Sequence, residues 1–484
     1  MNHLFTMKSG CFAFLLLFLS VEGLGQDNHY WSQQFGARAS ARSGAFVAGV
    51  DNNSAVFYNP AAIAFIEQAS LSVNATLYKA QRTFIRNGIG DDLNLRSMSY
   101  NYYPQLISGM IKMKKQSKFS FAYILMTRHT SDIRFNTRLN ELYDAVPSVE
   151  GMENFIGAFE YSNSFSEQWG GLGMAYRISE SVSVGITPFV SYRYQAYRFS
   201  VYSRAIPVVD SSYYVGSFNN YDDILFVNWK MILKAGLNIR KENWSFGLTF
   251  TSPSINLYGD CDVQREVSVN NLGLGDPGGS TFNFLAIDRQ PYLPIHMKSP
   301  WSVAFGMEHH KDATRIELSG EYFSRLKPYK MIKAEALPFV YPTQIFDEIN
   351  LGELEFLSVY NYADPVFNIA LAVEHQINPK LTYIGSFSTD FSMHRDDESF
   401  EEYAMSGGDW NLYHFASGIS VTREKSRFTA SLMYYFGFEK NISQLVNFSD
   451  PTEENLLLGI PSGIAQVSVH SLALVIGYTY FLKD

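Results

Sequence analysis

The chain has only two cysteines among 484 residues, Cys11 and Cys261. The first falls in an apolar leader, so the remainder can build neither an internal disulfide nor a two-cysteine metal site. A basic excess is also missing: 38 Lys and Arg stand against 47 Asp and Glu, a formal net charge of −9. A nucleic-acid partner needs the opposite balance. No glycine-rich phosphate loop and no His-Glu-x-x-His element occurs. No nucleophile stands with a positioned His and acid partner, so the chain reads as a non-enzyme that needs neither cofactor nor metal. Past Val21 no run reaches the roughly 20 apolar residues of a membrane-spanning helix. Aromatics, by contrast, are abundant: 31 Tyr and 38 Phe, in a chain whose mean hydropathy is only −0.10. That combination suits barrel strands, whose lipid-facing and lumen-facing residues alternate and cancel in a window average.

The leader has the order of a secretory signal. Met1–Gly10 carries Lys8, and Cys11–Val21 is apolar over the length of a signal h-region. Gly23 and Gly25 supply small residues at −3 and −1, which predicts cleavage before Gln26. Cys11 opens the apolar stretch, whereas a lipoprotein cysteine follows it. The organisation read from the chain is therefore 1–25 signal peptide, 26–69 an N-terminal unit, and 70–484 a strand-built body.

That body has a rhythm of paired apolar-alternating runs joined by a few polar residues, each pair followed by a long irregular insert. Ser299–His309 and Thr314–Arg325 flank only His310–Ala313, Phe367–Ile377 and Leu381–Phe391 flank Asn378–Lys380, and His414–Thr422 and Arg427–Phe438 flank Arg423–Ser426. Between the pairs lie Leu326–Pro365, Ser392–Leu412 and Glu439–Gln466. Tight turns on one side and long loops on the other predict a transmembrane β-barrel with periplasmic turns and external loops. The predicted strands are 70–80, 95–113, 118–135, 166–178, 181–205, 223–240, 243–258, 299–309, 314–325, 366–377, 380–392, 412–422, 427–439 and 467–482. That is an all-β, 14-stranded antiparallel barrel with an even strand number, as single-chain bacterial barrels have. Lys114–Ser117, Ser179–Glu180 and Lys241–Glu242 join the short turns, and Phe155–Ser162 is assigned to a long external loop.

Successive strand residues point to opposite faces. Leu472, Leu474, Ile476, Tyr478 and Tyr480 share one face of the last strand, opposite Ser471, Ala473, Val475, Gly477 and Thr479. Trp229, Met231 and Leu233 oppose Lys230 and Lys234, and Ile316, Leu318 and Tyr322 oppose Arg315, Glu317 and Glu321. A soluble sandwich also alternates, but here Arg193, Lys234, Glu317, Glu321 and Glu374 all take the polar face. A basic residue on the lipid face at mid-depth costs about 2–4 kcal/mol. The lumen-facing Arg193, Lys234, Arg315, Glu317 and Glu321 either orient a polar ligand head or form an internal ion-pair network.

Tyr30–Ile66 belongs neither to the leader nor to the strands. Ala37–Val50 is rich in small residues, and Asp51–Ser54 offers N-caps for a short turn carrying Ala55–Tyr58. Asn59 can cap a second turn with Pro60 at its first position. Two short, capped, partly apolar helices cannot cross a membrane and would make a poor free tail; packing in the lumen resolves both. With its Ser54-Ala55-Val56-Phe57-Tyr58-Asn59-Pro60-Ala61-Ala62-Ile63 element the chain resembles the FadL/TodX-like long-chain fatty-acid and toluene transporters of the outer membrane. Ala62 stands where that family usually has glycine. The likeness continues through Thr251-Ser252-Pro253, Leu293-Pro294, Ser299-Pro300-Trp301 and Phe367–Asp390. It implies an N-terminal hatch over 26–69 plugging the barrel, with Asn59, Pro60 and Ala61 gating the ligand. It further implies a Gram-negative outer-membrane location and passive uptake of hydrophobic small molecules, released by hatch movement and a gap between strands.

The remaining clusters have plainer readings. Glu308-His309-His310 with Asp312 sits at a periplasmic turn, Asp396-Asp397-Glu398 with Glu401-Glu402 reads as a solvated acidic loop, and Gly275–Gly279 as a turn. Ala336–Tyr341, Leu351–Tyr360 and Leu456–Ile460 are apolar for external loops. They predict a greasy collecting surface for a hydrophobic solute, a mutually packed lid, or a contact for protein partners. Expected partners are thus outer-membrane lipids, a hydrophobic ligand, and proteins at the external loops. The rival function is a barrel component of a secretion or outer-membrane assembly complex.

Overall fold

A computed structural model describes residues 23–24, 29–111, 117–147, 149–208, 215–273, 281–341, 356–393, 405–406 and 410–482. Most of the leader, the turn at 112–116, the 275–279 turn and the acidic loop around Asp397 lie outside the described residues.

Fourteen antiparallel strands close into one ring. They are β1 (Ser70–Arg86), β2 (Leu95–Ile111), β3 (Phe119–Tyr143), β4 (Glu153–Arg177), β5 (Val182–Pro207), β6 (Gly216–Lys241) and β7 (Trp244–Thr251). The rest are β8 (Ser302–Lys311), β9 (Thr314–Phe323), β10 (Val366–Asn378), β11 (Leu381–Asp390), β12 (Leu412–Arg423), β13 (Ser426–Ile442) and β14 (Ala465–Phe481). Each pairs with its neighbour in this order, and β14 closes on β1 from Ser70↔Phe481 to Arg86↔Gln466. Ile255–Leu272 and Phe282–Pro294 form an antiparallel extension on β6, and Leu326–Ile332 pairs with Val359–Ala363 outside the ring.

The sequence pattern dictates an inside-out protein. On β6, Lys230 and Lys234 are 3% and 5% exposed while Trp229 and Leu233 are 41% and 38% exposed. Likewise Glu317 and Ser319 are buried on β9 and Ile316 and Leu318 exposed. Buried charge and exposed aliphatic residues in strict alternation are stable only where the outside is hydrocarbon.

Two sequence expectations need correction. Phe155–Ser162 is not loop but part of the 25-residue β4, paired residue by residue with β3 and β5. The run at 243–258 is two strands broken at Ser252–Ser254, where Pro253 has no N–H to offer the ladder. Both errors have one cause: this wall does not stop at the membrane. A ten-residue strand such as β8 rises about 33 Å along its axis, or about 25 Å across the bilayer when tilted by about 40°. β3–β6 have 25 or 26 residues each, so their loop-side halves stand clear of it. The ring has a tall side (β3–β6) and a short side (β7–β9).

The tall side carries its own core. Phe155, Phe159, Phe199, Phe218 and Phe226 pack with Phe448 and Leu456–Leu458 from the β13–β14 connection. Phe339 and Phe356 stack with ring centroids 4.4 Å apart in the same cluster. Of the apolar external loops, Phe339, Val340, Phe356–Val359 and Leu456–Gly459 are buried, Ala336–Pro338, Tyr341 and Ile460 are exposed, and 351–355 lie outside the described residues.

Candidate functional site

Residues 29–66 thread the interior from the loop side to the turn side. At the loop-side end, the Trp31 backbone N–H donates to Asp390 Oδ1 at the end of β11, and its indole Nε1 donates to Glu321 on β9. Tyr30 stacks on Phe323, centroids 4.0 Å apart. Further along, the backbone N–H groups of Gly36 and Ala37 donate to Gln105 and Asn74 on β2 and β1. Three short turns follow: helices Ala37–Ala41 and Ala55–Tyr58 and a 3-10 turn Pro60–Phe65. The Asn59 side chain caps the last, accepting from the Ala61 N–H at 3.1 Å, with Pro60 at the first position as expected. Ser54 makes no side-chain cap; Asn52 Oδ1 instead accepts from the Ser54 N–H.

Asn59 also ties this turn to the segment and to the wall, donating to the carbonyls of Val47 (2.9 Å) and Leu237 (3.1 Å). The wall admits it because it has glycine there. A Cβ on Gly185 would overlap the Pro60 carbonyl, on Gly236 the Asn59 side chain, and on Gly247 the Val47 carbonyl. The sequence pointed to Asn59, Pro60 and Ala61 but not to these facing glycines, whose signal was glycine at lumen-facing positions of β5–β7.

Toward the turn side, a charge cluster joins segment to wall. Arg42, fully buried, donates to Glu317 (2.6 Å) and Glu308 (3.0 Å) and lies 3.7 Å from Glu374. Arg38 forks onto Glu374 at 2.7 and 2.6 Å and pairs with Asp51, which also meets Arg315 at 3.2 Å. Glu317 Oε1 and Oε2 accept the N–H groups of Ala48 and Gly49. Burial disfavours the Arg42 charge, but Glu374, Glu317 and Glu308 outweigh it and hold its pKa above the ordinary value. Burial likewise pushes the Asp51 carboxyl up, and Arg38, Arg427, Arg315 and Arg42 more than reverse this, leaving it below the carboxylate range.

The five lumen candidates thus fall into two groups. Arg315 and Glu317 belong to that cluster. Arg193, Lys234 and Glu321 line a separate cavity of about 140 Å³ above the Ala55–Tyr58 turn. Its walls include Trp31, Phe35, Phe57, Trp169 and Phe323, and it reaches the short-side rim at Met297, Leu326 and Tyr362. Arg193 and Lys230 both pair with Glu167 at 3.2 Å. Lys234 differs: among the described residues no carboxylate lies within ion-pair distance, and its ammonium sits 4.1 Å from the Phe57 ring centroid. A cation on an aromatic face, in a cavity lined by rings as well as by charged groups, offers one end of an amphipathic site.

The same cavity touches a break in the wall. Among the described residues β2 and β3 pair only from Leu106↔Met126 to Ile111↔Phe121. Beyond Met126 the β3–β4 ladder slips at Arg128, a bulge, and the bulged residue turns inward. Its guanidinium donates to the Tyr30 carbonyl and lies over Phe35, Phe57 and Trp169. Arg128 and His129 line the cavity.

No protein-family model and no curated protein sequence matches the chain. Solved structures do. A Pseudomonas aeruginosa FadL homologue is similar with a TM-score of 0.60 at 11% identity, over 93% of this chain and 99% of that one. The Pseudomonas putida toluene transporter TodX gives 0.56 at 10% identity, over 95% and 99%. The CymD monoaromatic hydrocarbon channel gives 0.52 at 10%, over 93% and 98%. At these identities the likeness establishes the fold: a fourteen-stranded barrel similar in architecture to the FadL-homologue and TodX structures.

Proposed function

We propose that this chain is an outer-membrane channel for passive uptake of hydrophobic small molecules of the fatty-acid or aromatic-hydrocarbon class. Residues 29–66 act as its hatch. The observation that carries the reading is the cavity itself. It has aromatic walls, a floor made by the Ala55–Tyr58 turn, and an unpaired stretch of wall beside it. Its Lys234 has no carboxylate within ion-pair distance among the described residues. The solved barrels of this fold include a toluene transporter and a monoaromatic hydrocarbon channel. Phe339, Phe356 and Leu456–Leu458 of the external loops are taken up by the tall-side core, and the cavity reaches the surface side at Met297 and Leu326, so the solute enters at the short-side rim there. It is held against Phe57, and a shift of the Asn59–Pro60 turn and the Arg128 bulge opens the way sideways between β2 and β3.

Uptake tests this. In a strain lacking the gene, wild type should restore entry of a labelled long-chain fatty acid or a labelled aromatic hydrocarbon. Pro60→Gly should change the rate with heat-modifiable migration intact, since glycine frees the backbone angle that proline fixes. Lys234→Met should slow a fatty acid more than a hydrocarbon, because only the first has a carboxylate to lose. If no hydrophobic solute distinguishes wild type from the empty strain, the transport reading fails and the barrel serves a secretion or assembly complex instead.

A further inference from the structure

On the short side the chain leaves the ring at membrane level. Trp229, Tyr258, Trp301 and Tyr322 are 39–57% exposed there, around the loop-side ends of β7–β9. Such a row of outward aromatics marks the outer interface of a barrel. Immediately above it the charge balance of the molecule inverts. The segments 295–300 and 324–333 contain Lys298, Arg325, Lys327, Lys330 and Lys333 and no carboxylate, in a chain that is acidic overall. The two segments are side by side: Ile295 bridges Ile332, the His296 N–H donates to the Met331 carbonyl, and the Lys298 N–H donates to the Tyr329 hydroxyl. The Lys298 ammonium lies 4.5 Å from the Tyr329 ring centroid. Arg325 reaches Asp364 only at 3.6 Å with its side chain 58% exposed. Around Lys327 and Lys333, both exposed, no carboxylate lies within ion-pair distance among the described residues.

We propose that this short-side patch binds the phosphorylated headgroups of outer-leaflet glycolipid. The position selects the partner. Arg325 and Lys327 follow the last residue of β9 by two and four positions, a span of at most about 14 Å of chain, so they lie at headgroup depth rather than in bulk solvent. Lys327 and Lys333, exposed and with no carboxylate within ion-pair distance among the described residues, leave positive charge on this patch for an anion to balance. A headgroup bearing two phosphates supplies roughly three to four negative charges to one such patch, while a zwitterionic headgroup supplies none in net. Lysine serves as a compact point charge for phosphate, and the neighbouring Tyr322 and Trp301 rings pack on the acyl chains below. The inference rests on the membrane orientation of the proposed channel, not on its solute.

The test is lipid retention by the full barrel. Wild type and the triple variant Lys327→Gln, Lys330→Gln, Lys333→Gln would be equilibrated in nanodiscs of phosphatidylcholine containing a diphosphorylated glycolipid, then released for native mass spectrometry. Lys298, which also lines the cavity, stays in place. Juxtamembrane basic residues each contribute about fivefold to anionic-lipid affinity, so the variant should retain the glycolipid roughly a hundredfold more weakly. A control variant, Lys118→Gln with Lys241→Gln and Lys425→Gln at the turn side, should match wild type. Added salt should weaken wild-type retention, and the dephosphorylated glycolipid should bind both proteins alike. Equal retention by wild type and the triple variant overturns the proposal, as does an equal loss in the turn-side control. If the triple variant fails to assemble, Lys327→Gln and Lys333→Gln taken singly give the same reading at about fivefold each. Uptake of the hydrophobic solute, measured separately, fails or survives independently of this result.

Discussion

Asn59 is legible from the sequence alone: an Asn-Pro pair between a small-residue stretch and the first strand can do little but cap a turn. What the pattern does not reveal is that the wall is cut to fit it. Gly185, Gly236 and Gly247 look in sequence like three unremarked strand glycines, because a close backbone approach from a segment so far away in the chain leaves no local mark. Restoring a side chain there should therefore disturb the hatch and not the ladder. Gly185→Val places methyl groups where the Pro60 carbonyl now lies, an overpacking that typically costs about 1–3 kcal/mol. Amide exchange over residues 55–66 should quicken by roughly ten- to a hundredfold, while β5 and its neighbours keep their protection. Exchange that stays at the wild-type rate would mean the turn does not bear on the wall at Gly185.

For the elements, alternation and turn length located all fourteen ring strands, since those signals are local. The extension formed by Ile255–Leu272 and Phe282–Pro294 escaped, because above the bilayer one face no longer has to be greasy and the pattern loosens. The charge cluster shows the same limit. Alternation on their own strand turns Arg315 and Glu317 inward, but their partners Arg38, Arg42 and Asp51 come from a distant segment. Asp51 gives this cluster a pH dependence. Its folded pKa lies below the unfolded value, so its contribution is fully present above about pH 4 and is lost as pH falls toward the folded pKa. Planar-bilayer conductance should accordingly rise when the wild-type barrel is taken from pH 7 to below pH 4, as the hatch loosens from Arg38 and Arg315. Asp51→Asn should start from a higher conductance at pH 7 and show a flatter profile; an unaltered profile in that variant would assign the effect to other groups.

The whole molecule closes its lumen in two different ways. The tall side is filled by apolar packing, Leu456–Leu458 and Phe448 against the aromatic rows of β4 and β5, a contact that needs no charge. Under the short rim the filling is residues 29–66, held by hydrogen bonds and ion pairs around the 140 Å³ cavity. Only the second closure can be removed without touching the ring, because among the described residues no ring strand pairs with it. Deleting Gln26–Phe65 should therefore leave a barrel that folds and migrates as a heat-modifiable band, while steps of ion conductance appear in planar bilayers where the intact protein shows little. The opened path runs beneath β7–β11 past Lys230, Lys234 and Glu321, so Glu321→Lys in the deletion background should shift its ion preference toward anions. Conductance that is unchanged by the deletion would locate the seal in the Leu456–Leu458 core instead, and would leave residues 29–66 as a structural filling rather than a gate.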